Sequence, residues 1–540
     1  MFSSALAWHS EKAEIRAQMN DPLDTNARER AKSVRWRAPH MSVWLLTAVT
    51  VAAVAVRLRQ SRESLWLDEL HTAWVATSAW TDVASRSVQG NQSPLFFWIE
   101  WLVAHTIGRS EFAVRLPSLV AGALLIVALY WVVWRWTGQR WLALLAAWLV
   151  AIDPQATYFG TEARPYALVQ LLGLLHVALF LELVDRPTAL KRAAMVTGAA
   201  LLFHLQYTTA LLFAGELAWY VWRGSRARTA YTAAALARDF ALGALLAAPA
   251  FGVLQDVFGR RQNWRAFVDQ QPIWTGVQML PWGLSGLVTA AAVALWRWAR
   301  ASRIGDGDRM PTGFSMALAW LLVPLTLAWL ATASDAARLL SPRYLAASAP
   351  AAIVLLALAV SAVPDAGVRA IVAGTFAIVG TATSPVIRSL AAGEPPIAWR
   401  TDDWRGAVAY FNRHPLHGQG TVLLRSLLIE SDALTETPAD GALAEYSLYP
   451  LRSLYPLDAP RTRLIPLRRS NPGELRPEML ARIDTARFAW LIVGDTPVAA
   501  AQVASNICAQ LSARFGTPWT PDSARAFGSV SVTLLERRAR

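Results

Sequence analysis

The stretch Leu65-Trp66-Leu67-Asp68-Glu69-Leu70-His71-Thr72 decides how this chain is read, because two adjacent carboxylates follow closely on a long apolar run, Met41 to Val56. Carboxylates at the lip of a membrane span are costly unless they face water or a polar site, so the pair raises a functional hypothesis by default. Of 540 residues, 54% are hydrophobic and 16% charged, whereas an ordinary soluble domain carries about 25% charged residues. The deficit is uneven. Uncharged runs recur from Met41 to Ile387, each long enough to cross about 30 Å of hydrocarbon. After Arg388 the composition turns ordinary, with frequent Arg, Asp, Glu and Pro. The expected fold is a polytopic α-helical membrane protein with a C-terminal soluble α/β domain. Its parts are a tail over 1–40, a membrane domain over 41–390 and an extracytoplasmic domain over 391–540.

The net charge of +13 would suit nucleic acid, but topology explains it better, because the basic residues sit in short loops between apolar runs, as the positive-inside rule expects. The single cysteine, Cys508, excludes an internal disulfide and a cysteine-rich metal site. The first 40 residues lack the apolar core of a cleavable signal peptide. Arg28, Arg30, Lys32, Arg35 and Arg37 precede the first span and place the N-terminus in the cytoplasm, within reach of anionic lipid. Candidate spans fall near 41–59, 117–134, 141–153, 166–184, 193–206, 208–222, 237–254, 279–298, 313–332, 344–363 and 368–387. Eleven crossings put the C-terminal domain outside. Cytoplasmic loops would then hold Arg135 and Arg140; Arg186, Lys191 and Arg192; Arg223, Arg226 and Arg228; Arg297, Arg300, Arg303 and Arg309; and Arg369. The alternation requires that Pro94 to Gly108, which contains Glu100 and His105, lie along the outer surface without crossing.

On that count the unusual polar residues gather on the outer face. They are Asp68 and Glu69; Glu162 and Arg164 in Thr161-Glu162-Ala163-Arg164-Pro165-Tyr166; Tyr207 in the turn after His204; Arg260 and Arg261; and Arg343-Tyr344. A carboxylate at a membrane rim suits general-base work on a hydroxyl. Arginines beside it suit a lipid-borne phosphate, through charge-assisted and often bidentate hydrogen bonds. Together they fit transfer of a sugar from a polyprenyl phosphate to a hydroxyl, with the phosphate as leaving group. No glycine-rich phosphate loop or dinucleotide fingerprint is present. Each group also has a plainer reading. Asp68-Glu69 could cap a helix, Glu162 and Arg164 could form an interfacial salt bridge, Arg343-Tyr344 could anchor a span, and Arg260-Arg261 could meet lipid headgroups.

These residues, taken in order, resemble the lipid-linked-sugar glycosyltransferases of the GT-C type, in the bacterial branch related to protein O-mannosyltransferases and the lipid A aminoarabinose transferase. The resemblance covers about 41–390 and rests on Asp68-Glu69, Ser93-Pro94-Leu95, Phe112-Ala113-Val114-Arg115-Leu116-Pro117-Ser118, Glu162-Ala163-Arg164-Pro165-Tyr166-Ala167-Leu168 and Arg343-Tyr344-Leu345. Asp402-Asp403-Trp404-Arg405 resembles the start of the outer domain in those proteins. The resemblance implies that Asp68 is the catalytic carboxylate, Glu69 its support and Glu162 a second acid. It also implies phosphate or sugar binding by Arg164 and Arg343; Tyr166, Tyr207, Arg260, Arg261 and Tyr344, from the same outer loops, are expected as further substrate contacts. The implied setting is a bacterial inner membrane, with a polyprenyl-phosphate sugar donor, a hydroxyl acceptor on a lipid, glycan or protein, and no cofactor. Relatives often carry metal-binding side chains where this chain reads Gln92-Ser93-Pro94 and Gln206-Tyr207. Amides are poor ligands for a transition metal, so no metal is expected. The rival readings are an oligosaccharide ligase or polymerase and a secondary transporter or lipid flippase.

In the C-terminal region Thr421 to Ile429, Phe488 to Val493 and Val530 to Leu535 read as buried strands. Asp403 to Asn412 and Pro477 to Thr485 have helical patterns, and the Tyr-Pro steps at 449–450 and 455–456 mark irregular loops.

Overall fold

The computed structural model describes residues 22–224, 229–261, 268–299, 310–311, 313–397, 401–434, 441–471, 475–483 and 487–538. Arg226, Arg228, Arg300, Arg303 and Arg309 lie outside them, as do the side chains of Arg28, Arg30, Lys32, Arg35 and Arg37. The apolar half opens with α1 (Pro22–Gln60), α2 (Leu67–Ala76), α3 (Val83–Gln89), α4 (Pro94–Thr106) and α5 (Glu111–Thr137). It continues with α6 (Arg140–Ala151), α7 (Pro154–Phe159), α8 (Tyr166–Asp185), α9 (Ala189–Leu205), α10 (Ala210–Gly224), α11 (Ala233–Ala247), α12 (Pro249–Gly259), α13 (Ile273–Met279) and α14 (Gly283–Ala299). The last members are α15 (Phe314–Ala333), α16 (Ala349–Ser361), α17 (Ala366–Thr383) and α18 (Pro385–Ala391).

Every apolar run in the sequence carries a helix, yet the eleven expected crossings do not follow from their lengths. Among the described residues five helices are long and apolar enough to cross: Met41–Gln60, α5, α8, α15 and α17. The number rises to seven if α11 with α12, bent by 74°, and α13 with α14, bent by 106°, each count as one span. Pro249 opens α12 and explains the first bend, since proline cannot donate within a helix. The 13-residue α4 is too short to cross. Its Phe96, Phe97 and Glu100 are buried, and it packs on α2 and α5. Outward residues of the long helices are apolar, among them Trp44, Val51, Ile371 and Ile378, which is the surface hydrocarbon requires and water penalises. Glu182, near the cytoplasmic end of α8 in the sequence reading, meets Arg135 at 3.5 Å and Lys191 at 3.4 Å.

The C-terminal half adds α19 (Trp404–Arg413), α20 (Ala442–Ser447), α21 (Pro477–Ile483) and α22 (Pro497–Phe515) around five strands. These are β1 (Thr421–Arg425), β2 (Leu464–Pro466), β3 (Phe488–Gly494), β4 (Trp519–Phe527) and β5 (Val530–Arg537), in the order β2-β1-β3-β5-β4. β1 runs parallel to β2 and β3, whereas β5 runs antiparallel to β3 and β4. Alternation along the strands gives the sheet two buried faces. Leu423, Leu491 and Leu535 pack on Ile507 and Leu511 of α22. Val422, Trp490 and Val532 pack with Trp404 and Phe411 of α19, in a cluster that continues into Leu65, Leu70 and Trp74. One apolar core therefore joins the sheet to the segment that carries Asp68.

Candidate active site

The site starts from the cap of α2. Trp66 is extended (φ −88°, ψ 173°), and its N–H donates to Glu69 Oε2 at 3.4 Å. Asp68 and Glu69 fill the first turn, where the helix dipole favours negative charge. Neighbours on a helix point about 100° apart, so the two carboxylates diverge. Glu69 turns into the protein. It accepts Arg115 Nε at 2.7 Å, Arg115 Nη2 at 2.5 Å and the Ala163 N–H at 2.9 Å. Arg115 is fully buried and gives its remaining donors to the carbonyls of Ser61 (3.2 Å), Glu63 (2.8 Å) and Ser64 (3.2 Å). The sequence reading pairs Glu69 with Asp68 as its support; in the structure Glu69, through Arg115, ties the first turn of α2 to the 61–64 loop that precedes it.

Asp68 faces a different set. Its Oδ2 lies 3.0 Å from Arg343 Nη1 and 3.3 Å from Arg164 Nη2. The two arginines arrive from segments remote in sequence, and each is held by its backbone. Ser118 Oγ donates to the Arg164 carbonyl at 2.9 Å, and Thr72 Oγ1 donates to the Ala163 carbonyl at 2.9 Å. Gln206 Nε2 donates to the Arg343 carbonyl at 2.7 Å. The amide at 206 thus fixes the backbone of Arg343. Arg343 also lies over the Trp66 ring, 5.0 Å from its centroid. Arg164 is almost wholly buried, yet its Nε and Nη1 have no hydrogen-bond partner among the described residues. Buried donors without acceptors cost about 1–3 kcal/mol each, more when charged, so such groups call for a ligand.

Burial pushes the Asp68 pKa up, but Arg164 and Arg343 outweigh it and hold the carboxyl below its ordinary value. Asp68 is therefore an anion through the neutral range. His71, one turn on, is pushed down to about 3 by burial and by Arg164, so its ring is neutral. It is wedged among Trp74, Phe97, Tyr446 and Tyr449, and a Cβ at Gly90 would come within 2.4 Å of it. Glu100 of α4 is buried with neither oxygen hydrogen-bonded among the described residues, and burial together with the Glu69 charge raises its pKa well above 4.5. Folding therefore favours its protonated form, and that stability is lost as pH rises from its unfolded value through the folded one. Glu100→Gln is expected to flatten the decline of melting temperature across that range; an unchanged profile would refute the assignment.

The other expected residues divide into two groups. Glu162, which accepts Tyr158 Oη at 3.4 Å, Tyr166 and Tyr344 lie among the charges of Asp68, Arg164 and Arg343. Arg260, Arg261 and Tyr207 stand off from Asp68. Arg260 Nη2 donates to the Val88 carbonyl at 3.3 Å, Arg261 Nε donates to the Ala336 carbonyl at 3.1 Å, and Tyr207 packs on Phe203. Arg260 still sits within electrostatic reach of Glu430, whose Oε1 accepts Asn91 Nδ2 at 2.7 Å. Arg115 and Glu430 had no assigned role in the sequence reading. The Arg115 position was visible as an arginine inside an apolar helix start, where an unpaired charge is not tolerated.

Fold and site together define a chain of long apolar helices that brings a carboxylate and two guanidiniums together beside a small C-terminal sheet. Residues 91–251 match the family model described as dolichyl-phosphate-mannose-protein mannosyltransferase. The chain is similar in structure to ArnT from Cupriavidus metallidurans bound to undecaprenyl phosphate, with a TM-score of 0.53 and 13% identity over 91% of this chain and 97% of that one. The apo form of the same protein gives a TM-score of 0.41 at 13% identity, over 92% and 98% of the two chains. At such identity the likeness is one of fold. No curated protein matches the chain.

Proposed function

We propose that this protein is an inner-membrane glycosyltransferase that moves a sugar from a polyprenyl-phosphate donor to a hydroxyl acceptor on the extracytoplasmic face. The observation that carries the reading is the Asp68 carboxylate between two guanidiniums, one of which keeps two buried N–H groups unused. The mannosyltransferase family match and the ArnT-like fold agree with it.

In this reading the donor phosphate takes the free faces of Arg164 and Arg343. Their charge stabilises the leaving phosphate as the anomeric C–O bond breaks and its electron pair departs with the phosphate oxygen. The acceptor oxygen attacks the opposite face, giving inversion, and its proton passes to Asp68. A carboxylate paired with two arginines is a weak base. Donor binding draws the arginines toward phosphate and gives Asp68 its basicity back, so the base is armed only when the leaving group is in place. Arg164→Ala is expected to weaken binding of undecaprenyl phosphate by about ten- to a hundredfold, the loss of charge-assisted hydrogen bonds. Binding by the variant equal to wild type, measured on protein in nanodiscs, would contradict the assignment.

A second reading, transport, draws on one observation. His176 Nε2 and Glu216 Oε2 lie 3.3 Å apart, both buried inside the helical core, and buried ionisable pairs recur along ion pathways in transporters. Product mass distinguishes the possibilities: one added sugar supports the proposed enzyme, a long block supports a ligase, and coupled uptake without product supports transport.

A further inference from the structure

The loop from Ser61 to Trp66 joins α1 to α2 and belongs to neither helix, so its shape depends on side chains that reach its backbone. Two of these come from the C-terminal domain. The Leu65 N–H donates to Tyr455 Oη at 2.9 Å, and Tyr455 Oη donates in turn to Glu111 Oε1 at 3.1 Å. Tyr449 Oη donates to the Leu67 carbonyl at 3.1 Å. Trp66 lies between these two anchors. It caps α2 and bears the Arg343 guanidinium on its ring, and Arg343 pairs with Asp68.

Both tyrosines are buried, Tyr449 to 1% and Tyr455 to 9% exposure. Burial raises both hydroxyls far from the neutral range, so each remains a protonated donor. They belong to the irregular Tyr-Pro stretch, which otherwise has no role. Two hydroxyls placed on either side of a single residue fix the backbone at both ends, and hence the direction of the side chain between them.

We propose that Tyr449 and Tyr455 are positioning residues: the C-terminal domain sets the Asp68–Arg343 pair by holding the backbone on either side of Trp66. The proposal rests on the reading of Asp68 as the reacting carboxylate. It makes the C-terminal domain part of the catalytic apparatus without giving it a group that touches substrate.

The test uses the full chain in nanodiscs, with Tyr449→Phe, Tyr455→Phe and Glu111→Gln, the last of which keeps an acceptor oxygen for Tyr455. The probe is undecaprenyl-phosphate mannose, a phosphodiester whose own charge is constant over the range. Donor binding withdraws the arginines and raises the Asp68 pKa, so wild-type affinity increases as pH falls. With the pair already loosened, each Phe variant is expected to show an acid-to-neutral affinity ratio smaller by about threefold or more, equivalent to roughly half a pKa unit. Glu111→Gln is expected to keep the wild-type ratio. Amide exchange over 61–72 should rise in the two Phe variants alone. An unchanged affinity ratio in the Phe variants overturns the proposal even if exchange rises, because a purely structural role would produce that pattern. If the probe does not bind wild type, the glycosyl-donor reading falls, and the positioning role is tested separately by exchange: unchanged exchange over 61–72 in the Phe variants overturns it.

Discussion

Asp68→Asn is expected to reduce sugar transfer by about a thousandfold or more while leaving the protein folded and the donor bound. A positioned general base contributes roughly 10²–10⁴-fold, and the amide cannot take the acceptor proton. The sign of the binding effect is the sharper test. Asp68 competes with phosphate for Arg164 and Arg343, at 3.3 and 3.0 Å. Removing its charge frees both arginines, so undecaprenyl phosphate binds as tightly as before or tighter. Reconstituted protein, product mass spectrometry and a parallel binding titration measure both quantities. Full turnover in the variant, or donor binding lost together with activity, would refute the role given to Asp68.

The largest effect on stability is expected at Arg115. Glu69 and Arg115 form a fully buried bidentate pair, and truncating one partner leaves the other charge without compensation. The cost is about 3–5 kcal/mol, a large share of the roughly 5–15 kcal/mol that holds a typical protein together. Arg115→Ala should therefore give little folded, monodisperse protein. Glu69→Met with Arg115→Leu should recover part of the loss, because no buried charge remains. A melting temperature for Arg115→Ala within the error of wild type would show that the pair does not hold the loop.

The membrane half was legible because hydrocarbon imposes long uncharged runs, and each run carries a helix. The number of crossings was harder to read. Hydropathy registers the bent pair α11 and α12 as one apolar stretch and cannot report a 74° break. In the C-terminal domain, β1, β3 and β5 were visible as buried runs, whereas β4 (Trp519-Thr520-Pro521-Asp522-Ser523-Ala524-Arg525-Ala526-Phe527) is a mostly exposed edge strand with polar residues throughout. α22 carried signals that went unread: Thr496 as N-cap, Pro497 in the first turn and Gly516 in the left-handed region just past its end. The loop count put Asp68, Arg164 and Arg343 on one face, but it put Arg260, Arg261 and Tyr207 there as well, and these contact other groups. The divergence of Glu69 from Asp68 needed the helix phase, which a loop reading of 65–72 does not supply. The contacts of Tyr449 with α2 and of Tyr455 with the loop before it span more than 380 positions, and no local pattern encodes them.

The central claim is that Asp68, Arg164 and Arg343 form one phosphate-binding, proton-accepting site. The most direct measurement is an electron cryomicroscopy map of the full chain with undecaprenyl phosphate. The account predicts phosphate density within hydrogen-bonding distance of the Arg164 and Arg343 guanidiniums, with the Asp68 carboxylate beside it. Phosphate density held elsewhere, with Arg164 and Arg343 still closed on Asp68, would contradict it.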